Sequence, residues 1–427
     1  MLSIIKQAIL SKLEKLDFNS APNIAVIRLT QMNFSLPLLN WLKAQLRYPQ
    51  FYLHYRDKTQ HCVALGSIKT FTDSQQAEVF CQKEDLPLVG GRQFTGETFF
   101  FLPRLLLEQK ENSLSVSLFV DVRANRESEI QQTEQILQNF TQIAQREQLP
   151  KIVKELASEA DEATWCNWVE QACHAIQEKQ FTKVVLANAK SFQTESVLNP
   201  YDFLSESEAY NQHCYHFLFA KDNTTVFLGS TPERLFLRQN SKLFTEALAG
   251  TAFVSEDEEE TQRQADWLFN DEKNRHENQL VVENIQQSLQ NVVKTFEVGE
   301  RQIKRLRKVQ HLQRPICGEL IEGQADASCL QKIHPTAAVA GLPKSAAMQF
   351  INQIEGQARE WYAGTLGVMT KLQSEFCVTI RSANIRNDII QVFAGAGIVE
   401  GSIPAHEWRE IERKALGLVS LLEMKKE

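Results

Sequence analysis

The chain has 427 residues, of which 43% are apolar and 23% charged, and its formal net charge is -7 at pH 7. This composition is that of an ordinary globular protein. It lacks the basic excess that binding to nucleic acid or to an anionic membrane surface requires. No Pro/Gly/Ser-rich linker divides the sequence, so we predict one interlocked unit over 1–427. Within it we distinguish a strand-rich N-terminal portion, 1–155, and a core portion, 156–427, that carries most of the motifs.

The N-terminal segment MLSIIKQAILSKLEKLDF has apolar residues at helical spacing with lysines between them. It therefore differs from the uninterrupted apolar core of a signal peptide, and no run elsewhere reaches membrane-spanning length. We expect a cytoplasmic protein. The eight cysteines include no C-x-x-C pair, and we interpret them as reduced thiols in apolar surroundings.

Up to about residue 123, strand-like runs such as NIAVIRLT, CVALGSI and SLSVSLFVDV alternate with turn residues, which is typical of an antiparallel sheet. A polar amphipathic helix is predicted at about 127–147. A second helix should open at SEADEATWC, where Ser158 or Asp161 can cap it.

The core portion then shows five strand-like runs in about 70 residues, from FTKVVLANA to KLFTEALAGTA, with one helix-like insert near 199–211. A long helical region follows at about 256–291, and the last strands lead into a C-terminal helix. Strands in series without repeated βαβ units indicate antiparallel pairing. We predict an α+β fold with large antiparallel sheets and helices packed outside them.

Glu277 lies three and four residues before Leu280 and Val281, on the apolar face of the predicted helix NDEKNRHENQLVVENIQQSLQ. A carboxylate on that face should meet a cation, because an unpaired buried charge is costly. An arginine or lysine partner and a metal ion both remain open from this segment alone.

The run DIIQVFAGAGIV is strand-like, and we expect its small residues AGAGIV to form a loop directly before a helix that should start near 403, with Ser402 as a possible cap. Glu407 and Glu410 follow one turn apart near its N-terminus, where the helix dipole eases their repulsion. Mg²⁺ typically takes one or two protein carboxylates together with substrate oxygens and water. Glu277 and Glu410 on two helices would suit it, and the small residues would let backbone N–H groups approach a substrate carboxylate.

Two cations lie in strand-like segments. Lys183 in FTKVVLANA has apolar neighbours that could exclude water and make it a base, and Arg381 in CVTIRSANI could clamp an anion. Read alone, the Lys183 segment favours a lysine on the solvated face of an alternating strand, and Arg381 could likewise be a surface charge.

Together these segments resemble the chorismate-utilising enzymes, which include anthranilate synthase large subunits, aminodeoxychorismate synthases, salicylate synthases and isochorismate synthases. The resemblance covers about residues 160 to 422, through FTKVVLA, LGSTPERLF, EALAGTA, KNRHENQLVV, IHPTAAVAGLPK, REWYAGTLGVM, SEFCVTIRSANI and AGAGIVEGS. It implies a four-layer α/β sandwich with two large, mainly antiparallel sheets, and Mg²⁺ as cofactor. Within the family the chain looks most like the isochorismate synthases of menaquinone biosynthesis; siderophore-pathway isochorismate synthases and salicylate synthases are the alternatives.

The resemblance also implies roles for individual residues. Lys183 matches the lysine that activates water for attack at C2 of chorismate, and Glu233 matches the acid that protonates the departing C4 hydroxyl. The metal ligands would be Glu277 and Glu410, with Glu407 behind them. The other matching positions, which bind the substrate carboxylates or line the pocket, are Thr251, His334, Tyr362, Arg381, Gly395, Gly397 and Lys414.

Two positions separate the branches of the family. Aminodeoxychorismate synthases carry a nucleophilic lysine where this chain has Ala249, and anthranilate synthases carry a glutamate where it has Asn274. Water therefore remains the plausible nucleophile, and isochorismate formation is favoured over amination. Chorismate is the expected small-molecule partner; no nucleic acid, membrane or obligatory protein partner is expected.

Overall fold

The computed structural model describes residues 1–18, 23–56 and 59–423, so that 19–22, 57–58 and 424–427 of the predicted unit lie outside the described residues. Within these ranges the chain forms eleven helices and twenty strands. The helices are α1 (Leu2–Glu14), α2 (Leu38–Lys43), α3 (Ser74–Glu84), α4 (Arg126–Ile136), α5 (Glu162–Gln177), α6 (Pro200–Tyr210), α7 (Glu258–Asn270), α8 (Glu272–Leu289), α9 (Asp326–Ile333), α10 (Lys344–Ile354) and α11 (Pro404–Glu423).

The strands alternate with these helices along the whole chain. They are β1 (Ile24–Met32), β2 (Gln50–His54), β3 (Gln60–Phe71), β4 (Leu88–Arg92), β5 (Thr98–Lys110), β6 (Ser113–Asp121), β7 (Ile152–Ser158), β8 (Lys183–Thr194), β9 (Tyr215–Ala220), β10 (Val226–Thr231), β11 (Arg234–Gln239), β12 (Lys242–Phe253), β13 (Val293–Val298), β14 (Gln302–Arg305), β15 (Val309–Leu320), β16 (Gly341–Leu342), β17 (Thr365–Met369), β18 (Gln373–Val378), β19 (Ser382–Arg386) and β20 (Ile389–Ile398).

All strand pairs are antiparallel, and they form two long sheets that share strand β5. The first sheet runs β5-β3-β2-β9-β10-β19-β20-β8, and β7 and β16 pair with β8. The second sheet runs β5-β4-β17-β18-β11-β12-β15, and β13 and β14 pair with β15. The prediction of an α+β fold with two large antiparallel sheets is confirmed.

Strand β5 can belong to both sheets because it changes partner along its length. Its first residues, 98–101, pair with β4, whereas 105–110 pair with β6 on the same edge, and β3 lies along the other edge. Pro103, which has no N–H to donate, lies between the two regions, beside a register shift in β3. The N-terminal portion therefore supplies strands to both sheets instead of forming a separate body.

Several predicted helices have the expected boundaries. Asp161 caps α5 by accepting a hydrogen bond from the Thr164 N–H at 2.8 Å. Of the two predicted caps, Ser158 and Asp161, the second is therefore confirmed. The helical region 256–291 consists of α7 and α8, which are separated at Asp271, and the Asp271 side chain accepts from the Asn274 N–H at 2.9 Å. Helix α11 begins at Pro404.

Other local predictions were wrong. Helix α4 ends at Ile136, so the predicted helix at about 127–147 is much shorter than expected. The Ser402 hydroxyl accepts from the Val399 N–H at 3.2 Å, in the turn before α11, and so does not act as the predicted cap. The AGAGIV segment is not a loop, because residues up to Ile398 belong to strand β20. None of the helices in the described part of the chain is both long and apolar enough to cross a membrane.

A buried ion pair fastens the second sheet to α9. The Arg238 side chain on β11 donates from Nε to Asp326 Oδ1 at 2.7 Å and from Nη2 to Oδ2 at 2.8 Å. The Ser374 hydroxyl donates to the same carboxylate at 2.6 Å. Both charged side chains are almost completely buried, so removal of either would leave a charge without its partner in the interior.

We therefore predict that Asp326→Ala lowers the free energy of unfolding by about 3–5 kcal/mol, the range typical of a broken buried pair. Glu258→Ala is the control, because Glu258 accepts a similar two-pronged contact from Arg305 on the surface and should lose at most about 1 kcal/mol. Urea unfolding followed by circular dichroism measures both. Equal losses of unfolding free energy in the two variants would contradict the interpretation of Arg238 and Asp326 as a stabilising buried ion pair.

Candidate active site

A cavity lies between the two sheets and is closed by helices α8 and α11. Nine of the eleven predicted site residues line it: Glu233, Thr251, Glu277, Tyr362, Arg381, Gly395, Gly397, Glu410 and Lys414. Lys183 lies directly behind this lining, in contact with Glu277. These residues, scattered over more than half of the chain in sequence, are therefore brought together by the fold.

Lys183 is the first residue of β8 and is fully buried. Its Nζ lies 3.0 Å from Glu277 Oε1, on helix α8. Burial alone would raise the pKa of Glu277, but Lys183 and Lys273 outweigh it, and the pKa lies below the ordinary value. Glu277 is therefore ionised, and the cation that its position on the apolar face required is a lysine.

Two glycines of β20 make this arrangement possible. A Cβ atom at Gly397 would lie 2.4 Å from Glu277 Oε1 and 3.1 Å from the Cε of Lys183. A Cβ atom at Gly395 would lie 2.8 Å from the Tyr362 hydroxyl. The small residues are needed because charged and polar side chains pack directly on the strand.

Strand β20 also has an edge that its neighbours leave partly uncovered. Strand β8 pairs with it along 389–398, whereas β19 pairs only with 389–392. Among the described strands, no other covers the second edge beyond Val392. The Gly395 carbonyl accepts a hydrogen bond from Lys414 Nζ at 2.9 Å, so the backbone here contributes polar groups to the cavity.

Helix α11 contributes two carboxylates one turn apart. Glu410 Oε1 accepts from Lys414 Nζ at 2.6 Å, and Glu407 Oε1 accepts from Lys273 Nζ at 2.7 Å. Burial and the charge of Glu410 raise the pKa of Glu407 to about 7, against the opposing effect of Lys273. Glu277 adds to the same repulsion, so the charges of both other carboxylates act on Glu407.

This group of carboxylates could hold a hard divalent cation. Glu277, Glu407 and Glu410 offer oxygen atoms from two helices, and each is balanced by a lysine ammonium in the structure. Oxygen donors with excess negative charge are the set that Mg²⁺ prefers. Glu410 faces the central cavity, and with Glu407 it also lines a neighbouring cavity on the α7 side. The donors present therefore fit such an ion.

Glu233 differs from Glu277 in having a raised pKa. It precedes β11 in the second sheet and is 3% exposed. Burial and the charge of Glu246 raise its pKa to about 8, although Lys183 and Lys414 act in the opposite direction. Glu246 itself is ionised, because its pKa is lowered by Arg56, which donates to its two oxygens at 2.6 and 3.0 Å. Glu233 can therefore donate a proton at neutral pH.

His311 is a site residue that the sequence reasoning missed. It lies on β15 directly opposite Thr251 on β12, and both side chains line the cavity. Arg381 can only donate, so the His311 Nε2, 3.0 Å from Arg381 Nη2, must accept. The proton of the neutral ring is then on Nδ1, which lies 3.2 Å from the Gly250 carbonyl and 3.1 Å from the Thr251 hydroxyl. The one feature that identifies His311 as a site residue is its position opposite Thr251 on the neighbouring strand, and no sequence motif encodes that position.

Arg381 and Tyr362 form the part of the cavity that suits an anionic ligand. Arg381 has a φ of 52°, in the left-handed region that non-glycine residues seldom adopt, and its guanidinium is held by His311. The Tyr362 ring stacks on Phe393 with 5.0 Å between centroids, and burial raises the pKa of its hydroxyl to about 12. Tyr362 is therefore a neutral hydrogen-bond donor beside a fixed cation.

His334 does not line this cavity. Its ring is buried, and burial together with Arg92 and Lys344 lowers its pKa to about 3. Its carbonyl accepts from Lys344 Nζ at 2.7 Å. Among the residues that line the cavity, the histidine is His311, so the structure gives the predicted role of His334 no geometric support.

Comparisons with known proteins agree with this geometry. A family model described as chorismate binding enzyme matches residues 91–423, and the chain belongs to this family of chorismate-binding enzymes. It is similar to the isochorismate synthase MenF of Haemophilus influenzae, with 52% identity over 385 residues that cover 90% of this chain and 89% of the relative.

Solved structures show the same fold. The chain matches the menaquinone-specific isochorismate synthase MenF from Escherichia coli with a TM-score of 0.90 and 38% identity, over 98% of this chain and 99% of the other. It also matches anthranilate synthase component I from Streptococcus pneumoniae with a TM-score of 0.63 and 20% identity, over 95% and 94% of the two chains, which supports the fold alone.

The raised pKa of Glu233 predicts a particular dependence of stability on pH. Between about pH 4.5 and about pH 8 the folded protein keeps a proton on Glu233 that the unfolded chain has released. Stability therefore falls as the pH rises through this window. Because glutamine cannot ionise, we expect Glu233→Gln to match the original protein near pH 4.5 and to exceed it by a few kcal/mol above pH 8.

Urea unfolding of both proteins at a series of pH values measures this difference directly. The comparison within each pH cancels the titration of all other groups. A difference that does not change with pH would show that Glu233 has an ordinary pKa in the folded protein.

Proposed function

We propose that this chain is the isochorismate synthase of menaquinone biosynthesis, which converts chorismate into isochorismate. High identity over nine tenths of the chain to a relative with this activity supports the assignment. The observation that carries the chemistry is the cavity itself, with a buried lysine at the start of β8 and, directly before β11, a buried glutamic acid whose pKa is raised to about 8.

The reaction exchanges one hydroxyl group for another. Lys183, in its neutral form, takes a proton from a water molecule whose oxygen forms a bond to C2 of the ring. The double bonds shift, the bond between C4 and its oxygen breaks, and Glu233 gives its proton to the departing hydroxyl, which leaves as water. One water enters and one leaves, so the product is an isomer of the substrate. A base and an acid each contribute about 10²–10⁴-fold to such a step.

Glu277 and Glu410 would hold Mg²⁺, with Glu407 behind them. When bound, the ion supplies positive charge that offsets repulsion from a dianionic substrate and helps to orient it. The lysine partners of these carboxylates support this proposal, because they place cationic charge at the same oxygen atoms.

The remaining lining residues bind and orient the substrate. Arg381, Tyr362 and Lys414 supply donors for its carboxylates, and the backbone at Gly395 and Gly397 lies at the open edge of β20. Thr251 lines the cavity and would contact the substrate, whereas His334, the other predicted pocket residue, lies outside the cavity lining.

The nucleophile is inferred from the residues at the two positions that separate the branches of the family, Ala249 and Asn274. Ala249 lines it at the position where a nucleophilic lysine occurs in aminodeoxychorismate synthases, so no amine is offered there. Asn274, at the position where anthranilate synthases carry a glutamate, accepts from the Thr251 N–H at 3.1 Å, beside the irregularity of β12 at Gly250. Water is therefore the nucleophile.

We further propose that 1–427 works as one domain in the cytoplasm, without an obligatory protein partner.

The products formed from chorismate test this function. Purified protein with chorismate, Mg²⁺ and no ammonia should give isochorismate without pyruvate, as separated by liquid chromatography. Salicylate together with pyruvate would assign the protein to the salicylate synthases. Anthranilate formed on addition of ammonia would contradict both activities.

We predict that Lys183→Ala lowers kcat by at least about 10²-fold, because the base is lost. Lys190→Ala is the matched control: Lys190 lies on the same strand and pairs with Glu412 at 2.8 Å, away from the cavity lining. It should keep near-normal turnover. Steady-state kinetics, with circular dichroism to verify folding, compare the two. Near-normal turnover of Lys183→Ala would place the base elsewhere.

We also predict that Glu410→Gln raises the Mg²⁺ concentration needed for half-maximal activity by about tenfold or more, because a charged oxygen ligand is removed. Glu412→Gln changes a carboxylate two residues later on the same helix, outside the cavity lining, and should leave the Mg²⁺ requirement unchanged. Activity measured over a series of Mg²⁺ concentrations gives the Mg²⁺ requirement of each variant. An equal requirement in both variants would exclude Glu410 as a ligand.

A further inference from the structure

Three histidines form a row across adjacent strands of the first sheet. His54 on β2 is directly opposite His61 on β3 and directly opposite His216 on β9. Directly paired residues point to the same face of a sheet with their Cβ atoms about 4.5–5.5 Å apart. The rings of His54 and His61 are stacked, with 3.9 Å between centroids, and those of His54 and His216 are 5.4 Å apart.

A carboxylate from helix α6 reaches over this row. Glu208 Oε1 lies 3.4 Å from His54 Nδ1 and accepts from the Tyr52 hydroxyl at 2.6 Å. Tyr52 is two residues before His54 on β2 and therefore lies on the same face. One possible ligand atom from each of His54, His61 and Glu208 lies within 4.8 Å of those of the other two.

Hydrogen bonding fixes the orientation of one imidazole. The single proton of the Tyr52 hydroxyl goes to Glu208, so the Tyr52 oxygen must accept from His61 Nδ1 at 2.9 Å. This places the ring proton of His61 on Nδ1 and its lone pair on Nε2. A hydrogen bond that fixes the tautomer in this way is characteristic of histidines that ligate metals.

The charge and access of the cluster suit a cation. Burial, which would raise the pKa of Glu208, is outweighed by His54 and His216, so Glu208 is ionised. Burial and His54 lower the pKa of His61 to about 4, so that this ring is neutral at pH 7. The side chains of His54 and Glu208 are 26% and 20% exposed, which leaves an ion a path from solvent.

We propose that His54, His61 and Glu208 form a binding site for a divalent transition-metal ion of the Zn²⁺ type, separate from the active site. Two imidazoles and one carboxylate are a known zinc ligand set that leaves a position for water. The 3.4 Å between Glu208 Oε1 and His54 Nδ1 matches the separation of about 3.4 Å expected for two ligands of a tetrahedral ion with bonds of about 2.1 Å.

Binding requires a small movement of one ring. Stacked imidazoles direct their in-plane lone pairs nearly parallel, so both can face one ion only after one ring tilts out of the stack. The terminal torsion of histidine is broad, which makes such a tilt easy. The nitrogen ligands also separate this site from the carboxylates at the active-site cavity, because Mg²⁺ prefers oxygen and Zn²⁺ accepts imidazole.

The test is calorimetric titration of the full-length, metal-stripped protein with ZnCl₂ in excess Mg²⁺, which occupies the carboxylates at the cavity. About one Zn²⁺ per chain should bind, and His61→Ala and Glu208→Gln should each weaken binding by about tenfold or more. Co²⁺ in place of Zn²⁺ should give the visible absorption of a tetrahedral ion in the original protein and lose it in both variants.

His174→Ala is the matched control, because the His174 side chain is exposed, lies 3.6 Å from Glu178 at the end of α5, and should not affect Zn²⁺ affinity. Circular dichroism verifies that each variant is folded, and Glu208→Gln keeps the test valid if His61→Ala does not fold. Absence of Zn²⁺ binding to the original protein, or binding that persists in both ligand variants, would overturn the proposal.

Discussion

The structure depends on the ion pair between a fully buried lysine and a glutamate. Lys183 lies at the start of a strand whose neighbours exclude water, so its ammonium can be buried only beside a carboxylate. Glu277 supplies that carboxylate from α8, which packs on β12 and β15 of the second sheet, so this pair links the helix to the first sheet. Gly397 leaves the space that the two side chains occupy. One ion pair thus fixes a strand, a helix and a glycine relative to one another, at the edge of the cavity.

The base and the acid come from different parts of the fold. Lys183 begins a strand of the first sheet and is accompanied by a carboxylate, whereas Glu233 lies in the connection from β10 of the first sheet to β11 of the second, near another carboxylate, Glu246. Burial and the charge of Glu246 favour a proton on the Glu233 oxygen. Arg56, from the N-terminal portion, keeps Glu246 ionised. The N-terminal strands are therefore connected to the chemistry through electrostatics as well as through sheet pairing.

The sequence predicted features that depend on local periodicity. The antiparallel α+β class, the start of α11 and the position of Glu277 on an apolar face all follow from the spacing of side chains along one element. His311 could not be predicted, since it is defined by its strand partner Thr251, sixty residues away. For the same reason the cluster of His54, His61 and Glu208 has no sequence signature. The AGAGIV segment was taken for a loop because glycine disfavours strands, but here its lack of a side chain is what packing demands.

Oxygen-isotope labelling tests the central claim most directly, namely that Lys183 as base and Glu233 as acid act on two different oxygen atoms. Chorismate is converted in water enriched in ¹⁸O, and the isochorismate formed is analysed by mass spectrometry before the reaction reverses. The account predicts incorporation of about one ¹⁸O atom, located at the C2 hydroxyl. Isochorismate without the label would mean that the C4 hydroxyl had migrated within the substrate, and would contradict the assignment of Lys183 and Glu233.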